Sequence, residues 1–280
     1  MTKQELEILA GECEKYSCKF VEESRKKFYK SGLLRIGGLT KEGLRILEPY
    51  KVKRAIFIAA GSGKRLLPIT LNTPKPMVRV HGVRIIDRLI DACLAADIEE
   101  IYIVRGYLAE QFNLLLNKYP MLHFIENPLY NETNNISSAV RVANLMSNAY
   151  VFEGDLLLYN PALIRKYEFS SNFLAIKMAR SDDWCFEVKD GFIVKQKIGG
   201  LNCWQEVGIS YWNAEAGVKL ANDLPTAFDL PSGHELYWDE VPLKIFPENY
   251  RVEIRPCTAT DIVEIDTFNE LKAIDRAYDV

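Results

Sequence analysis

Histidine is scarce in this chain and cysteine is unpaired. The sequence has His 3 and Cys 6; no two cysteines stand at a Cys-x-x-Cys spacing, and His81, His123 and His234 lie far apart. A structural zinc site built on clustered thiolates and imidazoles is therefore excluded as an expectation. Cys13, Cys18, Cys93, Cys185, Cys203 and Cys257 each read as a small hydrophobe in a reducing compartment. No apolar run approaches the about 18 residues that a membrane-spanning helix needs. The opening MTKQELEILAGECEKYS is charged and amphipathic where a secretory signal is apolar. No membrane partner is expected, and the expected compartment is the cytoplasm. Charge of one sign is also lacking: Lys+Arg 35 against Asp+Glu 38 leaves a net charge of -3. Such a balance makes no field that gathers nucleic acid along the molecule, so nucleic acid is not an expected partner, although a local basic pocket for phosphates is compatible with it. Internal repeats and low-complexity tracts are absent.

What is present is the balance of a globular protein, 48% hydrophobic and 26% charged over 280 residues. Residues 1–50 read as a small helical N-terminal extension ahead of a main domain over 51–280. Thr2 with Glu5 forms a capping-box start, and Leu6, Leu9, Cys13, Tyr16 and Phe20 recur at helical spacing, which predicts one helix. Gly-punctuated Leu33–Ile36 follows, and Thr40 caps a second helix through about Leu47. The role expected of this extension is packing or dimerisation. A DNA-binding role is disfavoured because Glu5, Glu7, Glu12, Glu14, Glu22 and Glu23 interleave with its basic residues.

From Lys53 onward strands and helices alternate. Ala55–Ala60 reads as a buried parallel strand, followed by a helix over 85–96, a strand at 100–104, a helix at 108–119, a strand at 123–125, a helix at 137–146 and a strand at 149–152 that ends in Glu153-Gly154-Asp155. After Ser170 the helices thin out, strands are expected at 173–178, 185–188, 192–197 and 208–212, and a last strand pair (250–255, 261–265) precedes a helix from Thr267. The expected fold class is α/β, a Rossmann-like mixed sheet flanked by helices.

The most specific signal is Ala59-Ala60-Gly61-Ser62-Gly63-Lys64-Arg65-Leu66 followed by Pro68, Thr70 and Thr73-Pro74-Lys75-Pro76-Met77. Glycines directly after a buried strand let backbone N–H groups approach a phosphate, and Arg65 with Lys75 brings two positive charges to one polyphosphate. The spacing is not that of a P-loop, which disfavours ATPase-type hydrolysis.

This string resembles the glycine-rich hallmark of nucleotidyltransferases that join a nucleoside triphosphate to a phosphorylated small molecule. Within them, Gly106-Tyr107-Leu108, Glu110-Gln111-Phe112, Glu126–Asn131, Asn134–Ser138, Asp183-Trp184, Tyr237-Trp238-Asp239 and Glu264-Ile265-Asp266 look most like bacterial CTP:phosphocholine cytidylyltransferases. The similarity runs over about residues 53 to 275. The resemblance implies the nucleotidyltransferase fold, a Mg²⁺-dependent condensation of CTP with phosphocholine, and release of pyrophosphate with CDP-choline.

On that reading Ala60, Gly61, Ser62, Gly63, Arg65 and Lys75 hold the triphosphate, with Arg65 and Lys75 carrying catalysis. Charge neutralisation is the main requirement of this chemistry, so carboxylates are needed for the metal. Asp155, Glu264 and Asp266 are the candidates. In an extended segment Glu264 and Asp266 share one face while Ile265 points into the core. A quaternary ammonium is recognised by aromatic faces and nearby carboxylates, for which Trp184, Tyr237 and Asp239 are the candidates, with Asp183 adjacent and Trp204 and Trp238 assigned to the core. Asn134, Asn135 and Ser138 offer amides and a hydroxyl to a pyrimidine edge, although an Asx-rich helix cap explains them nearly as well. Lys177 and Arg180 are weaker candidates for the acceptor phosphate. The alternatives are 2-aminoethylphosphonate, phosphoethanolamine or a sugar 1-phosphate as acceptor. From a different class, a nucleotide-sensing DNA-binding regulator is disfavoured by the intact Lys75, Asp155 and Asp266.

Overall fold

Gly11 decides the shape of the first segment. It sits in the left-handed region, φ 101°, and ends α1 (Lys3–Ala10). Ser17 then caps a separate helix, α2 (Cys18–Lys30), by accepting a hydrogen bond from Phe20 N. The single helix expected from the apolar spacing is thus two, because glycine at that position offers the chain an unstrained exit. A two-residue hairpin, β1 (Leu34–Arg35) with β2 (Gly38–Leu39), leads to α3 (Lys41–Leu47), capped by Thr40 as expected. The structure, a computed structural model, describes residues 1–279. They form two compact units, one of Met1–Val52 with Lys166–Phe169, the other of Lys53–Arg165 with the residues from Ser170 onward. The first has its own small core of Leu6, Ile8, Leu9, Phe28, Leu47 and Tyr167.

The second unit is built on β3 (Arg54–Ile58), β4 (Arg79–Val80), β5 (Val83–Arg84), α4 (Ile85–Ala95), β6 (Glu100–Arg105), β7 (His123–Glu126), α5 (Ile136–Val142), β8 (Ala149–Glu153), β9 (Leu156–Leu158), β10 (Asn172–Lys189), β11 (Phe192–Trp212), α6 (Ala214–Phe228), β12 (Glu253–Cys257), β13 (Ile262–Glu264) and α7 (Phe268–Ile274). Seven strands make one mixed sheet in the order β10-β12-β11-β8-β3-β6-β7. The apolar run of β3 is central and buried because parallel neighbours lie on both sides, β6 in register Ile56↔Tyr102 and β8 in register Ile56↔Val151. Phe57 stacks on Phe152 at 4.7 Å across that seam.

Several elements depart from expectation for identifiable reasons. Residues 109–117 form tight 3-10 turns in place of an α-helix. The strands after Ser170 merge into two long, bulged strands joined at Asp190-Gly191. The last two strands are not partners: β12 runs parallel to β10 and β13 pairs with β9. α6, fifteen residues long and capped by Asn213, was not expected at all. It buries Leu220 and Leu224 against Trp212 and Val241 in the main core. Its Gly217 packs so closely that an added Cβ would lie 2.3 Å from Ser147 Cα. Gly217→Ala is expected to destabilise the protein by about 1–3 kcal/mol, read by urea unfolding; an unchanged midpoint contradicts this packing. Among the described residues no helix is long and apolar enough to cross a membrane.

Candidate active site

The parallel pairing Ile58↔Glu153 brings the carboxyl ends of β3 and β8 side by side. The loop after β3 and the Glu153-Gly154-Asp155 turn therefore open into one crevice, the usual ligand position in an α/β sheet. β13 closes the third side. It pairs antiparallel to β9 in register Glu264↔Leu156, and Ile265 N donates to Asp155 O at 3.1 Å. Ile265 is fully buried, so Glu264 and Asp266 share the opposite face, as the alternation predicts.

The glycine-rich loop is held from behind. Gly63 has φ +60°, and an added Cβ would press on Lys75 Cβ and Thr70 Cγ2 at 3.1 Å. Thr70 Oγ1 donates to Gly63 O at 2.9 Å, and Tyr107 Oη donates to Thr70 O at 2.7 Å. Thr70 and Tyr107 are thus props of the loop, a role their place in the motif did not reveal.

Lys75 is the centre of the crevice. Its Nζ lies 2.6 Å from Asp155 Oδ2 and 2.9 Å from Asp266 Oδ1, and Asp266 Oδ1 also meets Arg65 Nη2 at 2.7 Å. Burial opposes the Lys75 ammonium, but the two carboxylates outweigh it and hold its pKa above that of an ordinary lysine. Arg65, though paired with Asp266, is largely exposed at the mouth of the crevice.

Two cavities with shared walls flank this ion-pair cluster. One, about 410 Å³, is lined by Gly61, Ser62, Gly63, Lys64, Arg65, Lys75 and Asp155. The other, about 310 Å³, is lined by Ala60, Asn127, Tyr130, Asn134, Asn135 and Ser138. Every residue expected to hold the nucleotide faces one or both. Part of the polar set is also structural: Ser138 Oγ accepts from Asn127 Nδ2 at 2.9 Å, and Asn135 Oδ1 accepts from Trp238 N at 2.8 Å. Gly106 allows Tyr130 to approach, since an added Cβ would lie 2.6 Å from its ring.

A third cavity, about 130 Å³, is lined by Arg65, Glu153, Asp183, Trp184, Glu206, Gly208, Tyr237, Asp239, Glu264 and Asp266. Trp184 and Tyr237, far apart in sequence, meet edge to face with centroids 5.8 Å apart. Glu153 and Glu206 are wall residues the sequence reading missed. The signal for Glu153 was its i, i+2 relation to Asp155 at a strand end; Glu206, on a long bulged strand, had none. Gly208 makes room for Glu153, whose Cγ an added Cβ would meet at 2.6 Å. Behind the wall, Gln196 Nε2 donates to Glu206 Oε2 at 2.9 Å and, in a shorter contact, to Asp239 Oδ2.

So many acids in one enclosed place repel one another. Burial, reinforced by neighbouring carboxylates, pushes Glu153 up to about 8, Glu264 up to about 10 and Glu206 well above the usual range. Burial likewise lifts Asp239 to about 6 against the pull of its hydrogen bond from Gln196. Lys177 and Arg180 are engaged elsewhere, Lys177 Nζ with Asn202 O at 2.6 Å and over the Trp204 ring, Arg180 with Asp182 at 3.2 Å. Trp238 is buried in the core, as expected.

The sequence profile of the nucleotidyl transferase family matches residues 54–179, which contain the glycine-rich loop, Lys75 and Asp155. The chain is 35% identical to the 2-aminoethylphosphonate cytidylyltransferase of Lancefieldella rimae, over 80% of this chain and 92% of that protein. It is 30% identical to the choline-phosphate cytidylyltransferase of Haemophilus influenzae, over 77% of this chain and 93% of that protein. The solved structure of the CTP:phosphocholine cytidylyltransferase from Streptococcus pneumoniae has the same fold, with a TM-score of 0.74 at 27% identity, over 81% of this chain and 99% of that one. The fold is shared with a solved structure matched over 99% of its length, relatives 30–35% identical are matched over more than nine tenths of theirs, and the chain belongs to the nucleotidyl transferase family.

Proposed function

We propose that this chain transfers the cytidylyl group of CTP to a small acceptor with a phosphonate or phosphate at one end and a primary ammonium at the other, 2-aminoethylphosphonate suiting the site best. The observation that carries the acceptor is the acid-walled 130 Å³ cavity beside the glycine-rich crevice. With Glu264 and Asp266 assigned to a metal, Glu153, Asp183, Glu206 and Asp239 remain on its wall. A quaternary ammonium has no N–H with which to use them, whereas a primary ammonium donates three charge-assisted hydrogen bonds. Likeness to the Lancefieldella enzyme supports the same acceptor. The second reading, phosphocholine, is favoured by the perpendicular Trp184–Tyr237 pair, which offers two aromatic faces to a cation.

In the reaction a phosphonate oxygen attacks the α-phosphorus of CTP in line with the bond to the bridging β-phosphate oxygen. The new P–O bond forms as the old one breaks, and pyrophosphate leaves with the electron pair. No protein nucleophile is required. The N–H groups of Gly61–Gly63 and the Arg65 guanidinium hold the triphosphate. Lys75, kept charged by its two carboxylates, stabilises the negative charge that grows on the transferring phosphate. The donors fit Mg²⁺: Asp155 Oδ1 is buried with no hydrogen-bond partner among the described residues, and oxygens of Asp155, Glu153 and Glu264 converge within 4.8 Å, as do those of Asp183, Glu264 and Asp266. Glu264, common to both sets, would hold it with Asp155 from the first or Asp266 from the second, and it would supply charge neutralisation at the α-phosphate.

The test is pyrophosphate release from CTP with Mg²⁺, with 2-aminoethylphosphonate, phosphoethanolamine, phosphocholine and glucose 1-phosphate offered in parallel. The expected result is the highest kcat/KM with 2-aminoethylphosphonate. Preference for phosphocholine moves the assignment to the aromatic pair, and no release with any of the four overturns the transferase reading.

A further inference from the structure

Two of the six cysteines lie together. Cys185 and Cys203 are buried and their Sγ atoms are 3.0 Å apart; among the described residues no other cysteine pair is in hydrogen-bond contact. The strand register explains the approach. Cys185 stands opposite Gln205, and Cys203, two residues away on the same strand, shares its face. The thiols are therefore diagonal neighbours on one side of the ladder, and the register shifts around Cys185 and Phe186 bring them closer than regular strands do. Gly200 keeps the spot open, since an added Cβ would meet Cys203 Cβ at 3.1 Å and Lys197 Cε at 3.6 Å. The Lys197 ammonium, whose Nζ is held by Glu187 Oε1 at 2.5 Å, has its pKa raised first by that carboxylate and to a lesser degree by the two neighbouring sulfurs.

We propose that Cys185 and Cys203 form a reversible disulfide, a thiol–disulfide modification site beside the acid-walled cavity, driven by small-molecule disulfides of the oxidised glutathione type. Cys203, 6% exposed against 0% for Cys185, attacks first. Its thiolate bonds to one sulfur of the small disulfide, whose S–S bond breaks and releases one thiol. Cys185 then gives its proton to solvent and attacks Sγ of Cys203, closing the protein disulfide and expelling the second thiol. Two electrons and two protons pass from the protein to the small molecule, and excess reduced thiol runs the exchange backward. Burial pushes the Cys185 thiol up to about 11, with its hydrogen bond to Cys203 adding to the effect. Capture of Cys203 as a mixed disulfide removes that bond and eases the second step. Trp184 and Asp183 directly precede Cys185, and Glu206 lies three residues beyond Cys203, so the cross-link fixes two strands that carry the cavity wall. Resting on the acceptor assignment above, the functional expectation is a several-fold higher KM for the acceptor in the oxidised protein, with KM for CTP unchanged.

The test incubates the full-length protein with oxidised glutathione, alkylates the remaining thiols and reads intact mass and peptide maps. The expected result is a protein two hydrogens lighter, with Cys185 and Cys203 linked and released by dithiothreitol. Cys185→Ser is expected to stop at a glutathione adduct on Cys203, and Cys203→Ser to give no cross-link. Full alkylation of both cysteines, or a wild-type protein that stops at the adduct, overturns the proposal. Mass is read without turnover, so an inactive protein overturns the proposed reaction and leaves this result standing. An unchanged acceptor KM in protein shown to be cross-linked overturns the coupling to the cavity.

Discussion

Lys75→Ala is expected to lower kcat by roughly 100- to 1,000-fold while KM for CTP changes only a few-fold. The ammonium touches Asp155 and Asp266 and lines the crevice, and in the proposed reaction it would meet the charge that grows on the transferring α-phosphate. An interaction that strengthens only in the transition state is lost from kcat rather than from binding. Lys75→Arg is expected to recover little, because a planar fork does not occupy the place of a compact point charge wedged between two carboxylates and packed under Gly63. Removing the ammonium also leaves two carboxylates without their shared cation, so the variant's thermal melting belongs beside the kinetics. Steady-state rates on folded protein decide the matter: a kcat within about threefold of wild type contradicts a transition-state role, and a rise in KM alone assigns Lys75 to ground-state binding.

Why Lys75 was legible and Glu206 was not is a matter of range. The glycine-rich string, the strand before it and the caps at Thr2, Thr40 and Thr267 are local patterns, and each appears where its residues dictate. The alternation of Glu264, Ile265 and Asp266 is local too, and burial of Ile265 confirms the face it assigns. Tertiary packing is a different source of information. β12 lies against β10 and β13 against β9 through choices of partner that no period encodes. α6 packs in the main core with Trp212 and Val241 and runs through a proline at 225, which weakens its helical signal in the chain. Five apolar residues keep the helical period across Gly11 and predict a helix there, yet its left-handed conformation prevails. Glu206 and Gln196 acquire meaning only when bulged strands fold Asp239 against them.

Raising the pH from about 5 to about 8 is expected to lower the Tm of the ligand-free protein by roughly 3–6 °C. The sign follows from the raised carboxyls. In the unfolded chain Asp239 and Glu206 titrate near ordinary values, whereas in the folded protein burial holds their protons to higher pH. Between those values the native state binds more protons, so stability is greatest below the unfolded pKa and falls as the pH climbs through the folded one. Moving one carboxyl from 3.8 to about 6 amounts to roughly 3 kcal/mol over its whole titration, and about half of that is lost between pH 5 and pH 8, because the unfolded carboxyl is already ionised at pH 5. For a domain of this size that converts to the Tm change given. Asp239→Asn keeps an oxygen to accept from Gln196 Nε2 but has no proton to lose, and it is expected to flatten the profile, with Glu206→Gln acting in the same direction. Mg²⁺ and a primary-ammonium acceptor are each expected to restore Tm at pH 8 more than at pH 5, because a cation favours the ionised form of carboxyls whose protons burial otherwise retains. Thermal melts across this range check all of these points. A Tm that rises with pH in the ligand-free wild type contradicts the raised carboxyl titrations of the wall.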